Sequence, residues 1–131
     1  MVGQNTMALL LVFVGGGIGS VLRHGVNQIS GAVIGINFPW GTLTVNILGS
    51  LAMGMLAGWF GSRSEGNQLL RLFLATGVLG GFTTFSAFSL DAVLLWQKGE
   101  MAAAGMYAVG SVAVGIMGIV VGVAIVRTVI A

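Results

Sequence analysis

The chain has 131 residues, a formal net charge of +2 and no cysteine. Charged residues are only 6% of it and hydrophobic ones 56%, with a mean hydropathy of +1.05. So few polar residues cannot cover a soluble domain. The composition reads as a single integral membrane domain and excludes a soluble enzyme, a nucleic-acid partner, a disulfide framework and thiolate metal sites.

The charges mark the spans. None falls in residues 1–22 before Arg23, none in 25–62 before Arg63, none between Arg71 and Asp91, and none from Met101 to Val126 before Arg127. A membrane-crossing helix takes about 20 apolar residues, so the long second window holds more than one element. Four spans are predicted, at about 7–27, 40–60, 68–97 and 101–126.

Span one has the pair Gly15 and Gly19 at GxxxG spacing, which suits close helix contact. Arg23 in its last turns reads either as a snorkelling side chain or as a charge at a vestibule that concentrates anions. Pro39 fits the first turn of span two. Trp40 and Trp59 are 19 residues apart, about 28 Å along a helix, and so mark two interfaces. Thr42, Asn46 and Ser50 recur every four residues and share one face. That polar line reads either as helix–helix hydrogen bonding or as the wall of a pore.

A polar loop, GSRSEGN at 61–67, precedes span three. Its centre, Gly80-Gly81-Phe82-Thr83-Thr84-Phe85-Ser86-Ala87-Phe88-Ser89, places poor helix formers at mid-membrane. A helix broken near mid-membrane is predicted, with freed backbone carbonyls that would suit a hard cation such as Na⁺. A glycine packing crossing with no ion is the other reading. Phe82, Phe85 and Phe88 recur every third residue beside Ser86 and Ser89. Phenyl edges with hydroxyl and amide donors offer an anion a site without formal charge. Asp91 reads as functional or as paired with a basic residue.

Lys98 and Gly99 predict a helix end and Glu100 the first turn of span four. There Tyr107 sits deeper than an interfacial belt, on the face of Ser111. Ser111, Gly115, Gly118 and Gly122 form one stripe of small residues. With four spans, Arg23 and Lys98 fall on one side and Arg63, Arg71 and Arg127 on the other. Two against three is almost no positive-inside bias: either the chain has few charges, or it inserts both ways round and pairs in opposite orientations.

These motifs together resemble the small fluoride channels of the Fluc/CrcB family. The matches are Gly16-Gly17-Ile18-Gly19-Ser20-Val21-Leu22-Arg23, Gly41-Thr42-Leu43-Thr44-Val45-Asn46 with Gly49, and Gly77 through Ser89. The resemblance implies an all-α antiparallel dual-topology homodimer in lipid, in the bacterial cell (inner) membrane. It would conduct fluoride passively outward, exclude chloride and protect the cell. By position, Phe85 and Phe88 would line the fluoride path beside Asn46. Thr42, Ser86, Ser89, Tyr107 and Ser111 would complete its polar lining. Gly80 and Thr83 carbonyls would hold a structural Na⁺ at the dimer interface, with Arg23 at the vestibule.

Three positions depart from the family pattern. Ala87 stands where relatives commonly have Thr, Asp91 where they often have Glu, and His24 where an aromatic is usual. The competing expectation is a small coupled transporter of the multidrug type. That chemistry needs a carboxylate within span one, which has none. No acid–base pair or metal-ligating side-chain cluster points to an enzyme.

Overall fold

The computed structural model describes residues 2–63 and 66–130. Four long helical spans run through it: α1 (Val2–Val33), α2 (Trp40–Gly61), a third span in two pieces, and α5 (Met101–Ile130). The first piece, α3, starts at Gln68–Arg71, winds as a π-helix over Leu72–Leu79 and ends at Gly80–Phe82. The second piece is α4 (Phe85–Gln97). All four spans are long and apolar enough to cross a membrane, and the chain is a multi-pass integral membrane protein. Of the polar segment 61–67, Ser64 and Glu65 lie outside the described residues.

Local chemistry explains the helix ends. Gly35, at φ +119°, turns the chain after α1, and the Ser30 carbonyl accepts from both Ile34 N–H (2.9 Å) and Gly35 N–H (3.2 Å). At 32 residues, α1 is about 48 Å long, so it outruns the window 7–27 and the hydrocarbon core. Pro39 is the N-cap of α2, one position before the first turn expected for it, and its carbonyl accepts from Leu43 N–H at 3.1 Å. Asn67 caps α3 by accepting Leu70 N–H at 3.1 Å, worth about 1 kcal/mol. Gly99, at φ +81°, closes α4, with Glu100 N–H reaching the Leu95 carbonyl at 3.1 Å. This is the 6→1 bond of a Schellman turn. Glu100 therefore precedes α5 rather than lying in its first turn, and its carbonyl accepts Ala104 N–H at 2.9 Å.

Hydrophobic burial does not hold these helices together. Among the described residues only Val45, Leu95, Tyr107 and Val126 are buried apolar side chains, whereas Phe13 and Val21 are 81% and 71% exposed. In lipid, backbone approach at small residues drives the contacts instead. Gly54 and Gly58 of α2 lie against Ile119, Val123 and Val126 of α5, and Gly122 of α5 lies against Leu51 and Met55 of α2. Gly118, four residues before Gly122, also lies against Ile47 and Leu51 of α2, so two GxxxG pairs interlock. Gly15 and Gly19, four apart on α1, meet the backbone of Phe73 and Val78, five apart on α3.

The break falls at Thr83–Thr84 rather than at the glycines. Gly80 and Gly81 stay helical, while Thr83 (ψ 158°) and Thr84 (φ −153°, ψ 119°) are extended. The spacing of Phe82, Phe85 and Phe88 therefore does not form one stripe. Phe82 precedes the break and packs near Gly49 and Gly19; the other two rings belong to α4.

Candidate functional site

An amide on α2 and a hydroxyl at the break build the site. Asn46 engages the Thr84 peptide twice: Thr84 N–H donates to Oδ1 at 2.8 Å and Nδ2 donates to the Thr84 carbonyl at 3.0 Å. Thr84 Oγ1 accepts Ala87 N–H at 3.1 Å and so caps α4. A continuous helix would give those two N–H groups to the carbonyls of Gly80 and Thr83. Side chains have taken both donors, so both carbonyls are released. Among the described residues no three His, Cys, Asp or Glu side chains gather as a metal site.

Beside the break lies an open groove of about 380 Å³, lined among others by Asn46, Thr83, Thr84, Phe85, Phe88 and Ser111. The Phe85 and Phe88 ring centroids are 5.7 Å apart at 46°. Ser111 Oγ is enclosed by protein and has no hydrogen-bond partner. A buried unpaired hydroxyl costs about 1–3 kcal/mol, so a small acceptor admitted beside it would relieve that cost.

The aromatic series continues past the groove. Phe88 is 5.3 Å from Tyr107, Tyr107 is 5.4 Å from Phe38 at 87°, and Phe38 is 4.6 Å from Trp40. Phe38, Trp40, Thr42, Asp91 and Lys98 help line a second cavity of about 340 Å³. Tyr107, 2% exposed, stands next to both spaces, and its hydroxyl donates to Asp91 Oδ2 at 3.1 Å. The partner of Asp91 is a phenol, rather than the basic residue that one of the two sequence readings gives it.

The expected site residues thus divide. Asn46, Phe85, Phe88 and Ser111 share the groove with Thr83. Thr42 lies with Asp91 at the second cavity, and Tyr107 stands next to both. Ser86 and Ser89 line neither space. The Ser86 hydroxyl is 3.4 Å from Thr84 Oγ1, and the Ser89 hydroxyl donates to the Phe85 carbonyl at 2.9 Å. Arg23, half-buried on α1, also lines neither. Gly80 lies on the α3 side of the break, and Thr83 is its first residue. Sequence reasoning did not single out Thr84 as the residue on which Asn46 closes, and the Thr-Thr doublet ahead of a helix was its one cue.

Comparison with known proteins gives a match over residues 10–123 to the family described as "CrcB-like protein, Camphor Resistance (CrcB)". The chain belongs to the CrcB family. A relative of this CrcB-family chain from Methylobacterium nodulans, named "Fluoride-specific ion channel FluC", is 57% identical over 118 residues, covering 90% of this chain and 94% of the relative. One of the same name from Rhodopseudomonas palustris (strain BisB5) is 50% identical over 123 residues, covering 94% and 99%. "Fluoride-specific ion channel FluC 2" of Nitrobacter hamburgensis is 51% identical over 121 residues, covering 92% and 98%.

Proposed function

We propose that this CrcB-family chain is a fluoride-selective channel that lets fluoride leave the cell passively, as the names of its relatives state for them. The observation that carries the reading is the groove at the break. Two phenyl rings line one space at the middle of the spans, with the unpartnered Ser111 hydroxyl enclosed in its wall and no charged residue among its lining. A ring edge carries partial positive charge, and a hydroxyl donates a hydrogen bond. Such neutral donors hold a small anion without trapping it, as conduction requires. Asn46 has a second Nδ2 hydrogen beyond the one given to Thr84, available to the same guest.

The dimer belongs to the same proposal. The groove is open along one side and the chain's exterior is apolar, so a second copy in the opposite orientation would close the path. The near-even charge distribution across the spans supports insertion both ways. The released carbonyls of Gly80 and Thr83 fit a hard cation, which takes oxygen ligands. One chain supplies two of them, and a two-fold related copy would double the number. Na⁺ bound there would tie the two breaks together. Arg23 would draw anions toward the path once the assembly is formed.

The test is fluoride efflux from liposomes containing only this chain. Passive efflux with chloride retained is expected. Efflux that depends on a proton gradient would favour the small multidrug-type transporter instead.

A further inference from the structure

Two residues of α2 grip the break from one side. Asn46 closes the two hydrogen bonds with the Thr84 peptide, at 2.8 and 3.0 Å. Three residues on, and therefore on the same face, Gly49 is buried. A methyl group on its Cα would collide with Thr83 Cγ2 and stand 3.4 Å from Phe82 Cδ1. Thr83 is not free to turn away, because its Oγ1 donates to the Leu79 carbonyl at 2.9 Å. Rotating the side chain to clear a methyl at Gly49 would give up that bond.

The consequences run along the chain. The Asn46 amide offers Thr84 the donor and acceptor that a neighbouring strand would offer, and Thr84 stays extended. Held there, Thr84 places its hydroxyl on Ala87 N–H and starts α4. The first residue of α4 is Phe85, and Phe88 follows within the first turn. The rings are therefore positioned from α2, through two side-chain contacts that involve no ion.

We infer that Asn46 and Gly49 are positioning residues for the permeation site: Asn46 acts by holding the Thr84 peptide extended, and Gly49 by leaving a socket for the Thr83 methyl group. This deepens the fluoride-channel reading and rests on it for its flux readout. It assigns Asn46 a task that precedes any contact with the ion.

The test uses the full chain reconstituted in liposomes, as wild type, Gly49→Ala, Gly49→Ala with Thr83→Ser, and Asn46→Ala. Fluoride efflux is measured in each, with hydrogen exchange at the Thr84 amide. Gly49→Ala is expected to lower flux about tenfold or more, since small misplacements of a site are costly. Removing the Thr83 methyl while keeping its hydroxyl should restore flux to within about threefold of wild type, the non-additivity expected of a direct contact. Asn46→Ala should speed exchange at Thr84 roughly five- to tenfold, as one lost hydrogen bond implies.

Wild-type flux in Gly49→Ala overturns the inference. So does a double variant no better than Gly49→Ala, whether that variant folds or not, and so does unchanged exchange at Thr84 in Asn46→Ala. If Asn46→Ala cannot be extracted folded, the Gly49 and Thr83 pair decides the matter. A wild type that carries no fluoride would refute the channel reading instead, and exchange at Thr84 would still judge the grip.

Discussion

Asp91 and Tyr107 stand eight residues to either side of Gly99 and meet through one hydrogen bond of 3.1 Å. A tight turn between antiparallel helices brings equal distances from the turn to equal heights, so the two residues face each other across α4 and α5. The phenol fills the space between groove and outer cavity and meets Phe88 and Phe38 edgewise or tilted. A carboxylate within a span is costly unless bonded, and this bond meets that need without a second charge.

Tyr107→Phe keeps the ring contacts and removes only the donor. Stability is expected to fall by about 0.5–1.5 kcal/mol, the net range for one intramolecular hydrogen bond. Denaturant titration in mixed micelles reads this directly. An unchanged midpoint would show that the bond contributes nothing to the fold.

Phe85→Ile and Phe88→Ile preserve apolar character and remove the ring edge. Fluoride flux should fall in both. Phe85 is 78% exposed in the single chain, whereas Phe88 also packs on Tyr107 at 5.3 Å. Phe88→Ile should therefore cost about 1 kcal/mol of monomer stability as well, and Phe85→Ile none that is measurable. Full flux in both variants would end the phenyl-edge account of permeation.

Gly54→Leu or Gly122→Val puts a side chain into the backbone of the facing helix, since even a Cβ at these positions would collide with Ile119 or Leu51. Neither variant should yield extractable folded protein. Gly105, with open space around it, is the control. Gly105→Ala should be neutral or stabilising by up to about 1 kcal/mol through helix propensity. Normal yield of Gly54→Leu in gel filtration would contradict the interlocked crossing.

Three lysines added to the segment 61–67 should force one orientation through the positive-inside effect. Flux is then expected to disappear, because copies of opposite orientation are no longer made. Active, crosslinkable dimers of the single-orientation protein would rule out antiparallel pairing.

The discontinuity beside which the groove lies could be read from the sequence. The interruption in the third span follows from Gly80-Gly81 and Thr83-Thr84, since residues that support helices poorly are conspicuous in an apolar run. The Gly15 and Gly19 pair and the small-residue stripe through Gly118 and Gly122 also declared themselves as contact faces. Which residue opened the break could not be read. Gly80 and Gly81 have the lower propensity, yet they stay wound, with Gly81 packed against the backbone of Gly16 on α1. Thr83 and Thr84 unwind because Asn46, 38 residues earlier, supplies the hydrogen bonds that the helix gives up.

The sequence by itself determined that this chain lives in a membrane, how many times it crosses, and which span is discontinuous. Those properties follow from local composition and spacing, which apolar windows and poor helix formers display without reference to distant contacts. Only the tertiary structure decided which hydroxyls share a space with Phe85 and Phe88, and that Ser86 and Ser89 turn back onto their own segment while Ser111 keeps its hydroxyl unpaired. The reason is physical: a polar side chain in hydrocarbon takes the nearest available partner, and which partner is nearest depends on how helices far apart in the chain are brought together.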